Sequence, residues 1–317
     1  MNFVAEHIRF SHTSRHEPPR EVFRDLTFSV SRGDCIGILG REGSGKTTLV
    51  GLLGGLIPPR GGRILIDGID PHAGSRASRA LRLRMGFTFQ FPEEQFLRQT
   101  VAQEFGDLLR LRGTPPERIQ RRMEEALALM GLDPRAIAER SPFSLSLGES
   151  RRLALALLLA VSPEAALLDE PTAGLDASGV ACTLKALGGL SRDGATVIVA
   201  THDVNLLAEI AGRVLILGDG GIAADGSAAD VLMDGELLAR HGYGVPEVVT
   251  VAAAMRREGR LDERQVLRLS DLLESPELSG SSSSDNSGKR GGGENGDRQN
   301  DRRIERGDGN DPESCPR

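Results

Sequence analysis

Residues 40–47, Gly40-Arg41-Glu42-Gly43-Ser44-Gly45-Lys46-Thr47, match the pattern G-x-x-x-x-G-K-[ST] in full, and no other stretch of the chain constrains the fold as strongly. The stretch 34–39 before it reads as a short buried strand and 47–53 after it as the start of a helix, so the glycines fall on a strand-to-helix turn. Glycines at 40, 43 and 45 let the backbone turn tightly and aim several amides at one anion, where the helix dipole adds favourable potential. Lys46 is placed to reach the β- and γ-phosphates of a nucleotide, and the Thr47 hydroxyl to hold Mg²⁺. Only three lysines (46, 185 and 289) occur among 39 Lys and Arg, so a lysine here is not background composition.

Before the loop, residues 2–10 and 22–30 alternate apolar and polar around Pro18-Pro19 and predict two strands of an antiparallel sheet. After it come a breaker at 58–62, a short strand at 63–66, a helix near 78–84 and a buried strand at 85–89 that delivers Gln90 at its C-terminal edge. Ligands of open α/β sheets bind at that edge, although Gln90 standing alone reads better as an ordinary loop-entry glutamine. Helical patterns at 101–111, 116–130 and 148–160 make 91–160 an inserted helical subdomain. Ser146 and Glu149 form S-x-x-E at the start of the third helix, a capping box that has a purely structural reading.

A second buried strand, 165–168, ends in Asp169-Glu170. Adjacent carboxylates at a buried strand end are costly unless used, and the loop's Mg²⁺ supplies a use: Asp169 to hold the metal, Glu170 to polarise a water. A third strand, 196–200, ends in Thr201-His202-Asp203 and puts an imidazole where a γ-phosphate is met. A hairpin around Asp219-Gly220 and helix at 228–240 follow. The pattern at 247–258, apolar at 248, 251, 252 and 255, together with 261–273, predicts a small C-terminal helical unit.

The net charge of −6 and the lack of a long basic run disfavour a nucleic-acid binder. The longest apolar run, 153–161, is far below the roughly 20 residues that span a bilayer, and residues 1–10 show no leader pattern. From 279 onward the sequence is Ser, Gly, Asn, Asp and Arg with almost no apolar residues, which predicts a disordered tail.

The order of these elements resembles that of the ATP-binding cassette (ABC) ATPases over about residues 2–233. The resemblance implies an α/β fold: a phosphate-loop NTPase core of the RecA-like kind, with an antiparallel β subdomain, the inserted helical subdomain and the C-terminal unit. Its implied organisation is a nucleotide-binding domain at 1–235, a helical dimerisation unit at 236–278 and the tail at 279–317. By the same resemblance, Gly40, Arg41, Glu42, Gly43, Ser44, Gly45, Lys46, Thr47 and Thr48 bind ATP, with His12 at the position that stacks on adenine. Thr47, Gln90 and Asp169 bind Mg²⁺, and Glu170, His202 and Gln90 are catalytic. Asp176 matches the D-loop aspartate. Ser146, Leu147, Gly148 and Glu149 are the signature that closes on ATP held by a second ABC subunit, identical or different.

A narrower resemblance, in Phe89-Gln90-Phe91-Pro92-Glu93-Glu94-Gln95-Phe96, Thr100-Val101, Glu104-Phe105-Gly106 and Val245-Pro246, is to the ATPases of energy-coupling factor importers. It implies a peripheral subunit on the cytoplasmic face of the membrane that hydrolyses ATP to drive uptake of a vitamin or a transition-metal ion such as cobalt through integral membrane partners. The alternative is a soluble ABC protein acting as an ATP-driven clamp on nucleic acid or ribosomes. Two departures stand out: His12 replaces an aromatic residue, and Leu147 and Glu149 replace Gly and Gln in the signature. Residues 91–105, with Phe91 and Phe96 exposed, are expected to dock the membrane partner.

Overall fold

The computed structural model describes residues 1–13, 18–262 and 265–274. The tail at 279–317 lies outside the described residues. The chain runs β1 (Phe3–His12), β2 (Arg20–Val30), β3 (Cys35–Leu39), α1 (Lys46–Leu53), β4 (Gly61–Ile66), α2 (Arg76–Arg82) and β5 (Met85–Thr88). The helices α3 (Val101–Leu111), α4 (Pro116–Leu129), α5 (Pro134–Ile137) and α6 (Leu147–Ala160) come next. Then follow β6 (Ala165–Asp169), α7 (Ala177–Arg192), β7 (Thr196–Thr201), α8 (Val204–Ile210), β8 (Arg213–Gly218) and β9 (Gly221–Ser227). The last elements are α9 (Ala228–Leu232), α10 (Gly235–Arg240), α11 (Glu247–Arg257) and α12 (Leu269–Leu273).

A six-stranded sheet has the order β5-β6-β7-β3-β8-β9, parallel except for β9, which pairs antiparallel with β8. Its inner strands are mostly apolar, with polar residues at their ends, because both faces are covered, and the pleat sends alternate residues to opposite sides. Ala165 and Leu167 of β6 and Ile198 and Ala200 of β7 join one core, shared with α1 and the three-stranded antiparallel sheet β2-β1-β4. Ala166, Leu168, Val197 and Val199 join the other, shared with α3, α4, α6, α7 and α8. The parallel strands bring the ends of β3, β6 and β7 to one edge of the sheet, and the site is built there.

The C-terminal region is less helical than its sequence implies. Among the described residues, 258–268 form no helix, and α12 covers only 269–273. On α11, Ala252 is buried and Val248 and Met255 pack beside it, whereas Val251 faces solvent. The unit is tied to α8, since Glu247 N donates to Asn205 Oδ1 at 2.8 Å and Leu269 N to Glu209 Oε1 at 2.8 Å.

Phe96 corrects the docking expectation in part. It is 4% exposed and packs edge-to-face on Phe143 at 6.4 Å, whereas Phe91 is 53% and Leu97 79% exposed. The buried carboxylate of Glu104 explains the turn, because its Oε1 accepts from the amides of both Leu97 and Arg98 and leaves the Leu97 side chain outside.

Candidate functional site

Loop 40–45 leads from β3 into α1, and Gly45, at φ 98°, caps that helix in the left-handed conformation open to glycine. A Cβ there would overlap Val22 and Phe23 of β2. The loop is therefore seated on the antiparallel sheet, with the first amides of α1 facing a cavity of about 600 Å³. Arg41, Glu42, Gly43, Gly45, Lys46, Thr47 and Thr48 line it from the loop side, His12 and Arg20 from the antiparallel sheet, and Gln90, Asp169, Glu170 and His202 from the strand ends.

Lys46 is buried, and its ammonium donates to the Gly40 carbonyl at 2.6 Å and lies 3.7 Å from Glu170 Oε1. The Thr47 hydroxyl donates to Asp169 Oδ2 at 2.5 Å. Asp169 Oδ1 is buried with no partner among the described residues. Burial, opposed by the Thr47 bond, raises the Asp169 carboxyl above its ordinary range, so its charge lacks full compensation from protein groups. An acidic oxygen left unpaired beside a threonine hydroxyl suits a hard divalent cation.

Glu170 directly follows β6 at φ 49°, a strained conformation for a side chain other than glycine's. Its amide donates to the Ala200 carbonyl at 2.8 Å, which anchors the turn to β7. Oε2 accepts from the Thr201 hydroxyl at 2.8 Å, and Oε1 stands 2.9 Å from His202 Nδ1. One carboxylate is thus held by two consecutive residues of the neighbouring strand end.

His12 sits at the mouth of the cavity, with Nε2 3.2 Å from Thr48 Oγ1 and its ring edge-to-face with Phe10 at 5.0 Å. The signature residues do not line the cavity. Ser146 caps α6, accepting from Glu149 N at 3.3 Å while Glu149 Oε2 accepts from Ser146 N at 2.9 Å. Those contacts, the Ser146 amide foremost, and Arg140 at 3.4 Å hold the Glu149 carboxyl below its ordinary range. Leu147 is 55% exposed beside Gly174. Asp176 caps α7, accepting from Gly179 N at 2.7 Å. Gly40 and Ser44 are not among the lining residues, and a Cβ on Gly40 would strike the Ser44 hydroxyl.

Of the residues absent from the sequence expectations, Arg151 and Tyr243 bear most on the site. Arg151, buried in α6, donates to the carbonyls of Gln90 (2.7 Å), Glu170 (3.1 Å) and Ala173, so one guanidinium ties together the turns after β5 and β6. Its only signal in the sequence is an arginine pair opening an otherwise apolar helix. Tyr243 lines the cavity from beyond α10, some two hundred residues from the loop, and no local pattern points to it.

The family model described as ABC transporter matches residues 23–173. The energy-coupling factor transporter ATP-binding protein EcfA2 of Symbiobacterium thermophilum is 38% identical over 235 residues, 74% of this chain and 81% of that one. The chain belongs to the ABC transporter ATP-binding proteins of the energy-coupling factor type. EcfA of Methanocaldococcus jannaschii is 32% identical over 249 residues, 78% of this chain and 88% of that one. Among solved structures, cbiO1 from Clostridium perfringens, part of the ABC transporter complex cbiONQ, superposes with a TM-score of 0.63 at 27% identity, covering 81% of this chain and 96% of that one. A dimeric ATP-binding cassette in a post-hydrolysis state bound to ADP and Pi gives 0.65 at 26% identity, over 71% and 98%. ATP hydrolysis is the activity of this family, and the energy-coupling factor ATPase has the phosphate-loop NTPase fold of its relatives. No described helix is long and apolar enough to cross a membrane.

Proposed function

We propose that this energy-coupling factor ATPase powers uptake of a vitamin or transition-metal ion through integral membrane partners, working on the cytoplasmic face as a dimer with a second ABC subunit. The observation that carries the catalytic part is the convergence of Lys46, Thr47, Gln90, Asp169, Glu170 and His202 on one cavity.

In this reading Lys46 exchanges the Gly40 carbonyl for the β- and γ-phosphates, and the loop amides take the remaining phosphate oxygens. Thr47 and Asp169, with Gln90, hold Mg²⁺, for which the unpaired Asp169 Oδ1 is the fitting donor. The metal, when bound, neutralises charge on the phosphates. Glu170 takes a proton from the attacking water at Oε1, and the Thr201 bond to Oε2 keeps the carboxylate turned into the cavity. His202 steadies Oε1 and reaches the γ-phosphate. His12 offers its ring to adenine. The Ser146 hydroxyl and Gly148 amide close on ATP bound by the partner subunit.

The docking surface for the membrane component is the apolar groove of about 690 Å³ between β5, α3 and α6, where Phe89, Leu97, Leu108, Leu111 and Leu157 line the walls. Leu97 and Leu111 are exposed there, with Phe91 nearby on the surface, a large apolar area of the kind that marks a protein interface. Purifying the protein from membranes and identifying what accompanies it tests the proposal. Recovery with a substrate-binding integral membrane component supports it, and recovery only with ribosomes or DNA contradicts it.

A further inference from the structure

Helix α10 ends in a cap that sets the course of the chain after it. Gly242, at φ 80°, is left-handed, its amide donates to the Ala239 carbonyl at 3.0 Å, and the Tyr243 amide turns back to the Leu238 carbonyl at 2.9 Å. This pair of bonds is the Schellman arrangement, and it directs residue 243 back toward the phosphate loop. The Nε of Arg41 fastens the same turn, donating to the His241 carbonyl at 2.6 Å.

The side chain so placed is the chain's single tyrosine, and it lines the nucleotide cavity. Its hydroxyl is buried and makes no hydrogen bond among the described residues. It lies beside the Gly40 backbone, whose carbonyl already accepts from Lys46. Glu170 and Arg41 are the other polar neighbours. Burial first, and then Glu170, push the phenol up to about 12, so at neutral pH the hydroxyl is a donor. A buried donor without an acceptor is costly, and one on a residue that lines a binding cavity calls for a ligand atom.

We propose that Tyr243 is a nucleotide-contacting residue whose hydroxyl donates to the terminal phosphate of ATP, tying that phosphate to the chain that enters α11. Lys46, Glu170 and His202 meet the γ-phosphate in the reading above, on which the inference rests, and Tyr243 lines the same cavity. The adenine end is separate, flanked by His12 and Thr48. ADP lacks the acceptor, so the contact distinguishes ATP from ADP at the boundary between the nucleotide domain and the C-terminal unit.

The chain contains no tryptophan, so the ultraviolet emission of the full-length protein reports Tyr243 alone above phenylalanine. Titration with a non-hydrolysable ATP analogue is expected to change that emission, and ADP to change it markedly less. Tyr243→Phe is expected to weaken the analogue by about tenfold and ADP by less than about twofold, as for loss of one hydrogen bond to a charged group. Equal emission responses to the two nucleotides, or equal losses of affinity for both in Tyr243→Phe, overturn the proposal. Should the variant fold poorly, the emission of the wild-type chain still decides. Lys46→Ala separates the premises: unchanged affinity for the analogue there overturns the nucleotide site itself, whereas weakened binding there with unchanged binding in Tyr243→Phe overturns only the Tyr243 contact.

Discussion

His202 Nδ1 stands 2.9 Å from Oε1 of Glu170, across the gap between two neighbouring parallel strands. The imidazole and the carboxylate act as one unit in the proposed reaction, so their effects overlap. His202→Ala is expected to lower ATP turnover by about 10²-fold on its own and to change little further in a Glu170→Gln background. Steady-state ATPase assays of the two single variants and the double variant check this, and independent losses that multiply count against the pairing.

Asp169 sets a pH dependence. Burial raises its carboxyl above the ordinary range, so the folded protein holds that proton more tightly than the unfolded chain does. The stability from this proton is full below the ordinary aspartate value and is lost as pH rises through the raised value. Without nucleotide and metal, Asp169→Asn is therefore expected to melt at a higher temperature than wild type near neutral pH, with the difference closing in acid. The variant is also expected to lose the stabilisation that Mg²⁺ adds in the presence of ATP. Thermal denaturation across pH, with and without Mg·ATP, measures both effects.

Arg151 is a positioning residue, since its guanidinium bonds three backbone carbonyls and no part of the proposed reaction. Arg151→Met is expected to cost about 2–4 kcal/mol of stability by leaving buried carbonyls unpaired. Arg151→Lys recovers only part of this, because a point charge on a flexible stem cannot fork to three acceptors. Urea denaturation of the two variants gives the comparison.

The two neighbours Phe96 and Leu97 part company. Phe96→Ala empties a packed site and is expected to destabilise the protein by about 3–5 kcal/mol. Leu97→Asp touches an exposed side chain, so it is expected to leave stability within about 0.5 kcal/mol while reducing recovery of the membrane component in pull-downs.

The nucleotide cavity was legible because its parts are local. Loop 40–47 is a contiguous pattern, and Asp169, Glu170 and His202 each follow an apolar run whose end the sequence marks. Strand ends align in a parallel sheet, so local signals converge without any long-range inference. Phe96 was misread because burial of an aromatic residue depends on Phe143, far along the chain. Arg151 and Tyr243 escaped for the same reason: a guanidinium meeting three carbonyls and a phenol meeting a distant loop leave no period or spacing behind. The stretch 261–273, expected to complete a small helical unit, is helical only at 269–273, because Leu261 and Val266 pack with the apolar residues of α11 without helical structure.

Retention of ATP by Glu170→Gln tests the central claim most directly. The variant keeps the shape of the side chain and leaves the proposed roles of Lys46, Thr47 and Asp169 intact, but loses the base. In the purified, assembled complex it is expected to bind ATP as wild type does and to turn it over about 10²- to 10⁴-fold more slowly. Hydrolysis at the wild-type rate would contradict the account.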